Sequence, residues 1–270
     1  RLILHDLEHA ALAASLGQEA VAGACSLPDV LPDVLPDVLP DVLPPSSSEE
    51  APGLRLPSDL GREQPAYVIP TSGTGPLRAA SVRHADVLQG LAACEAALEP
   101  GPGDVWSQLH SGAFHLALWE LWGALAFGGR LVLPAAPRPR ASAELLSFAT
   151  RHGLTVLTLT PWELSEWLPQ LALAPAAERA RLTLSFLLVA GDVLPAGAVR
   201  RWFELMGEDA VVVNGYGTAE TGGPVVLGAL AVADVARDVP APLGVAVEGV
   251  SWQLLDECGR PVPRGAAGEL

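Results

Sequence analysis

Four short stretches hold most of the chemically competent side chains of this chain. Thr71-Ser72-Gly73-Thr74-Gly75 is a hydroxyl- and glycine-rich run that follows an apolar stretch, Ala66–Ile69. Glycines let backbone N–H groups close on phosphate oxygens, and hydroxyls add donors. The run therefore suits a phosphate, although alone it also reads as an ordinary polar turn. It is not the P-loop of nucleotide hydrolases, because the required lysine is missing. All sixteen Lys-plus-Arg positions are arginine, and the next cation is Arg78. A second stretch, Asn214-Gly215-Tyr216-Gly217-Thr218-Ala219-Glu220-Thr221, joins an aromatic ring, a glycine pair and a carboxylate; taken alone it is a glycine-rich turn with a surface Glu. The third, His110–Gly123, sets His110, His115 and Glu120 among apolar residues, and Gly268-Glu269-Leu270 ends the chain. A lone histidine such as His115 reads simply as a helix-start residue bonded to backbone, while His110, Glu120 and Trp122 read as packing.

These stretches need elements to hold them. From Pro65 onward strand and helix patterns alternate: a strand at Ala66–Ile69, helices near Ala85–Leu98 and Ala141–Arg151, a strand at Leu154–Leu159, and a helix at Trp162–Leu171. A strand at Ser185–Val189, a helix at Gly197–Met206 and a strand at Ala210–Val213 follow. Short, fully apolar strands separated by helices predict an α/β fold with a mainly parallel sheet covered on both faces. Right-handed crossovers then put every strand's carboxyl end on one edge, where ligands of such sheets bind. Three loops leave that edge: Thr158–Pro161, Ala190-Gly191-Asp192 and Asn214–Glu220. All three are expected to meet in one crevice. Past Pro240 short strands (Val245–Val247, Ser251–Leu255) and the turn Asp256–Gly259 predict a small β-rich part.

Residues 1–26 read as strand (Arg1–Leu4), helix (Leu7–Leu16) and strand (Glu19–Ala24). Residues 27–64 read as a linker, since Asp-Val-Leu-Pro repeats in tandem from Asp29 to Pro44. Proline at every fourth position forbids a regular helix and removes sheet donors. Residues 65–270 form the third unit. The net charge of −15 excludes a nucleic-acid backbone as partner. The longest apolar run, around Leu116 to Leu133, is broken by Glu120 and glycines and is no membrane span. Three cysteines (Cys25, Cys94, Cys258) lack metal-ligand spacing and suit free thiols in a reducing, cytoplasmic setting. The start on Arg1 and the stop on Leu270 lead us to expect a piece of a longer protein.

In this order the four stretches, together with Tyr67–Pro70 just before the first, resemble the adenylation domains of non-ribosomal peptide synthetases, within the superfamily of adenylate-forming ligases. Residues 1–24 also resemble the strand–helix–strand that precedes the phosphate loop in that family. The resemblance implies the core of the large N-terminal domain of such an enzyme, using ATP and Mg²⁺. Thr71, Ser72, Gly73, Thr74 and Gly75 would hold the phosphates. Tyr216 would stack on adenine, and Asn214 with Gly191 and Asp192 would meet the base edge, with Gly217 and Thr218 alongside. Glu220 would bind the metal and, with Thr71, would serve catalysis. The acid pocket would be lined by His115, Leu116, Trp119, Thr158, Leu188, Ala190, Gly215, Gly223 and Pro224.

Departures from the family pattern matter as much. Its phosphate loop usually runs one residue longer, with a lysine soon after. Its Pro-Thr before the glutamate is Thr218-Ala219 here, and the aspartate that pairs with a substrate ammonium is His115. The implied reaction is activation of a small amino or other carboxylic acid as acyl-AMP, for loading on the phosphopantetheine of a peptidyl carrier protein beside neighbouring synthetase domains. These 270 residues alone are expected to be inactive or weakly active. The rivals are a non-catalytic scaffold and an aryl- or acyl-CoA ligase.

Overall fold

The computed structural model describes residues 3–5, 24–26, 61–71, 78–134 and 143–270. Its strands, in chain order, are β1 (Ile3–His5), β2 (Ala24–Ser26), β3 (Pro65–Thr71), β4 (Arg78–Arg83), β5 (Val105–Ser107) and β6 (Arg130–Val132). They continue with β7 (Val156–Leu159), β8 (Phe186–Ala190), β9 (Val211–Tyr216), β10 (Val226–Leu230) and β11 (Val245–Ala246). The described helices are α1 (His84–Leu98), α2 (His115–Ala126), α3 (Ala143–His152), α4 (Pro161–Leu173), α5 (Ala176–Arg179) and α6 (Ala196–Met206).

Seven strands form one sheet in the order β11-β10-β9-β8-β7-β5-β6. From β6 to β9 neighbours pair parallel, and β10 and β11 close one edge antiparallel. Side chains of a strand alternate between faces, which divides the core in two. Leu157, Leu159, Leu187, Val189 and Val212 pack with Leu145 of α3, Leu164 and Trp167 of α4, and Trp202 of α6. Val156, Leu188 and Val213 turn the other way, into the cluster with Cys94 of α1, Trp106, and Trp119 of α2. Two layers of helices thus sandwich the sheet, as the apolar strands require.

Local chemistry fixes where two helices begin. Thr160 caps α4: its Oγ1 accepts the Glu163 N–H at 3.2 Å, the Glu163 carboxylate accepts the Thr160 N–H at 2.8 Å, and Pro161 fills the first turn. Before α1, Asp86 accepts the Arg83 N–H at 3.0 Å. Helix α2 meets the Trp106 ring of β5 at Gly123, where there is no room for a side chain. A Cβ there would fall 2.5 Å from carbons of the Trp106 ring.

The sequence reading needs several corrections. β9 runs to Tyr216, three residues past its expected end, because β10 pairs with Asn214, Gly215 and Tyr216. Ser251–Leu255 forms no strand; Leu255 makes only isolated bridges, to Pro261 and Glu269, in an exposed region rich in turn residues. Strands β4, β5, β6 and β10 were not anticipated. β4, for example, is Arg-Ala-Ala-Ser-Val-Arg, weak in intrinsic strand preference and formed by antiparallel pairing with β3. The expected strands near the start appear as parallel β1 and β2, shifted to Ile3–His5 and Ala24–Ser26. The helix Leu7–Leu16 and the linker through residue 60 lie outside the described residues.

Candidate functional site

The strand ends converge as topology demands. Register pairs Thr158 with Leu188 and Ala190 with Gly215. By parity all four share the face that α2 covers, where Leu116 and Trp119 are buried. Gly215 leaves its position open for want of a side chain: a Cβ there would sit 3.2 Å from both Ala190 Cβ and Leu188 Cδ1. Gly191, at φ +101°, follows β8, and a Cβ there would fall 3.3 Å from Phe114 Cζ, 3.8 Å from Thr160 Cγ2 and 3.9 Å from Leu116 Cδ1. Five of the residues expected to line the acid pocket (Leu116, Thr158, Leu188, Ala190, Gly215) and Gly191 therefore come together, with Trp119 buried in the cluster that holds Leu188.

His115 opens α2 half-buried, its ring 4.6 Å from that of Phe114 and edge-on. Burial lowers its pKa below the ordinary histidine value, and the positive charge of His110 lowers it further, against a weaker pull from Glu220. The ring is neutral at pH 7. Glu220 is exposed on the turn after β9 and close enough to feel His115. Its own backbone N–H and the Thr218 hydroxyl hold its carboxyl below the usual range.

The Glu220 turn is tied on both sides. Thr221 Oγ1 accepts the Thr218 N–H at 2.9 Å and donates within 2.8 Å of the Gly223 carbonyl. Gly217 abuts Gly223 and Pro224 so closely that a side chain would strike backbone. The Tyr67 hydroxyl of β3 donates to the Gly222 carbonyl at 3.1 Å, and a Cβ on Gly222 would meet Val82 of β4 at 2.7 Å. The β3–β4 hairpin, which carries Thr71 and Arg78 at its loop end, is thus braced on the turn that carries Glu220. Thr71 Oγ1 lies 3.4 Å from the Arg78 carbonyl. Ser72, Gly73, Thr74 and Gly75 lie outside the described residues.

Asn214 is buried on the other face of β9 from Gly215. Its Nδ2 donates to the carbonyls of Pro242 at 3.0 Å and Ala241 at 3.3 Å. Its Oδ1 is a buried acceptor with no partner among the described residues. Such an orphan is costly unless met by a donor, and an exocyclic amine such as that of adenine fits. Tyr216, half-buried, ends the same strand. Asp192 is exposed, and its Oδ1 accepts the Val193 N–H at 2.7 Å. Gly223 and Pro224 are buried and face Asp86, Gln89 and Gly90 of α1 across a small cavity, on the hairpin side of the turn rather than among Leu188 and Ala190.

One constellation escaped the sequence reading. His110, 5% exposed, brings Nδ1 within 2.8 Å of Glu120 Oε1 and Nε2 within 3.2 Å of Glu163 Oε2. Its backbone N–H also reaches Glu120 Oε2 at 3.3 Å. Burial works against the charged ring, but Glu120 and then Glu163 outweigh it and lift the His110 pKa to about 9. Burial also opposes ionisation of Glu163, yet His110 and Thr160 bring its carboxyl down to about 2. Burial pushes Glu120 upward against the pull of His110; both its oxygens meet donors, the pattern of a carboxylate. The signals were present: a Glu inside the apolar run of α2 cannot be buried alone, and Thr160-x-x-Glu163 is a capping box.

Comparison with known proteins agrees with this geometry. A family model described as AMP-binding enzyme matches residues 2–270. The chain is 33% identical over 214 residues to malpinin synthetase of Mortierella alpina, covering 78% of this chain and 3% of that protein. It is 32% identical over 226 residues to syringomycin synthase SyrB1 of Pseudomonas syringae pv. syringae, covering 82% of this chain and 36% of that one. The chain thus spans well under two thirds of either relative. Among solved structures it resembles holo-PA1221, a synthetase protein containing adenylation and PCP domains, with TM-score 0.65 and 26% identity over 82% of this chain and 37% of that one.

Proposed function

The chain belongs to the family of AMP-binding enzymes, and on that footing we propose that it is the core of an adenylation domain of a non-ribosomal peptide synthetase. In this reading the carboxylate of a small acid attacks the α-phosphorus of ATP. Pyrophosphate leaves, and the acyl group then passes from acyl-AMP to the phosphopantetheine thiol of a carrier protein. Such chemistry proceeds by positioning and by stabilising charge. The observation that carries the reading is the meeting of separate segments on one sheet edge: Phe114-His115, Thr160, Gly191 and Gly215, beside a Glu220 turn braced by the hairpin of Thr71.

At the same sheet edge, on the face of β9 opposite Gly215, Tyr216 stacks on the adenine and the orphan Oδ1 of Asn214 meets its amine. The hairpin's loop, from Thr71 to Gly75, holds the phosphates. Glu220 serves as the Mg²⁺ ligand. Mg²⁺ characteristically takes one or two carboxylates plus substrate phosphates, and no group of three or more His, Cys, Asp or Glu suited to hold a metal ion by itself occurs among the described residues. Any lysine that steadies the developing charge has to come from outside these residues, since the chain has none. Neighbouring synthetase domains in a reducing cytoplasm complete the setting.

The substrate is a small acid without an α-ammonium group. Neutral His115 offers no counter-charge, and a buried ammonium without one is costly. Leu116, Leu188, Ala190 and Gly215 make the remainder of the wall mostly apolar, with Thr158 its one weakly polar member. Pyrophosphate exchange with paired acids, each amino acid beside its des-amino analogue, tests this on the chain as it occurs in its full protein. Exchange should favour the des-amino member. Exchange with amino acids alone removes the substrate assignment, acyl transfer to free coenzyme A in place of a carrier points to a CoA ligase, and no nucleotide binding at all identifies a scaffold.

A further inference from the structure

Between α2 and α4 lies a set of three ionisable groups that no step of the reaction above consumes. Carboxylates only accept hydrogen bonds. With both carboxyls ionised, one imidazole serves Glu120 at 2.8 Å through Nδ1 and Glu163 at 3.2 Å through Nε2 as an imidazolium that donates from both nitrogens. Each end of this bridge is anchored in turn. Glu120 belongs to α2 and also receives the His110 N–H. Glu163 belongs to the first turn of α4, and its Oε2 also accepts the N–H and the hydroxyl of Thr160, at 2.8 and 2.9 Å.

Burying such a triad adds little net stability, since apolar residues of similar volume often serve as well. Its location gives it another use. The His110 ring is 5.5 Å from that of Phe114, which in turn packs on His115. Phe114 and Thr160, with Leu116, are the residues nearest the position a side chain on Gly191 would take. The bridge therefore ties together the two walls of the crevice where the acid is to sit. Charge that is fixed and fully bonded also holds geometry more stiffly than apolar contact, which is non-directional.

We propose that His110 is a positioning residue: as a doubly donating cation between Glu120 and Glu163 it sets the spacing between the Phe114–His115 corner and the Thr160–Gly191 wall. That the spacing serves an acyl-adenylate rests on the function proposed above; that the bridge sets it does not.

The experiment has a ligand-free arm and a ligand arm. Long-range ¹H–¹⁵N spectra of the histidine-labelled full chain should show both His110 ring nitrogens protonated at pH 7 and still at pH 8. In Glu163→Gln, which keeps an acceptor for Thr160 but removes the charge, His110 should lose its proton at lower pH. A crystal structure of folded His110→Gln should show Phe114 displaced from Gly191. Calorimetry with benzoyl-sulfamoyladenosine, a stable mimic of an uncharged acyl-AMP, should show at least about tenfold weaker binding to His110→Gln, with ATP–Mg²⁺ changed by no more than about threefold. A neutral His110 at pH 7, or a variant in which Phe114 stays in place, overturns the proposal. If wild type binds neither probe, the functional reading fails, and the spectra and the variant structure still decide on His110.

Discussion

At Glu220 a single exposed carboxylate is asked to hold a metal, and its surroundings suit the task. Its own N–H and the Thr218 hydroxyl hold its carboxyl below the usual carboxylate range, so at neutral pH a cation meets a charged group. Replacing it by Gln should weaken ATP binding in the presence of Mg²⁺ about tenfold and leave metal-free ATP binding unchanged; an equal loss in both would show that Glu220 touches the nucleotide otherwise. His115 tests the acid pocket. His115→Asp supplies the missing counter-ion and should move the preference between an amino acid and its des-amino analogue toward the amino acid by at least about tenfold, roughly 1.4 kcal/mol. Pyrophosphate exchange reads that ratio, and an unmoved ratio removes His115 from the pocket. His110 has a pH signature of its own. Its folded pKa of about 9 exceeds the ordinary 6.5, so its contribution is complete below pH 6.5 and is lost as pH rises through 9. Burial also raises Cys94 and Tyr67 to about 12, and both erode alkaline stability. His110→Gln retains those two, so the difference in urea stability between variant and wild type should shrink from pH 7 to pH 9.5. A constant difference contradicts the imidazolium.

Among the elements, α2 rests on β5 through Gly123. Alanine is the better helix former by about 1 kcal/mol, yet its methyl would lie 2.5 Å from the Trp106 ring, and overpacking costs about 1–3 kcal/mol. Gly123→Ala should therefore destabilise the chain by roughly 1 kcal/mol in urea unfolding; stabilisation would mean that α2 does not ride on Trp106. The hairpin gives a second test. Tyr67→Phe removes the bond to the Gly222 carbonyl, worth about 1 kcal/mol, and should lower nucleotide affinity by loosening the Glu220 turn. Elements also show where sequence patterns suffice. The buried runs of β7, β8 and β9 are legible as apolar continuity, whereas Thr158, Leu188, Ala190 and Gly215 are named by family resemblance alone, and it is the register of the sheet that sets them on one face. β4 stayed hidden because its strand character comes from pairing with β3 rather than from its alanines. The end of β9 was misjudged since Asn214-Gly215-Tyr216 has turn composition, and only the partner strand β10 extends it. The triad is hidden for a related reason: His110 and Glu120 read as packing, and only the arrival of α4, from 53 residues away, brings Glu163 to the ring.

Over the whole molecule, the account depends on distant segments enclosing one nucleotide crevice. Sheet topology alone implies that the loops after β7, β8 and β9 meet; the contacts around Gly191 bring those after β7 and β8 together, and Gly215 near the end of β9 lies against Ala190. The brace from Tyr67 to Gly222 adds the hairpin that topology could not place, since β3 and β4 form a sheet of their own. Calorimetric titration of the chain with ATP–Mg²⁺ tests the enclosure most directly. The account predicts saturable binding at one site, weakened at least about tenfold by Tyr216→Ala. Absence of saturable binding in the millimolar range, or binding indifferent to that substitution, would contradict it.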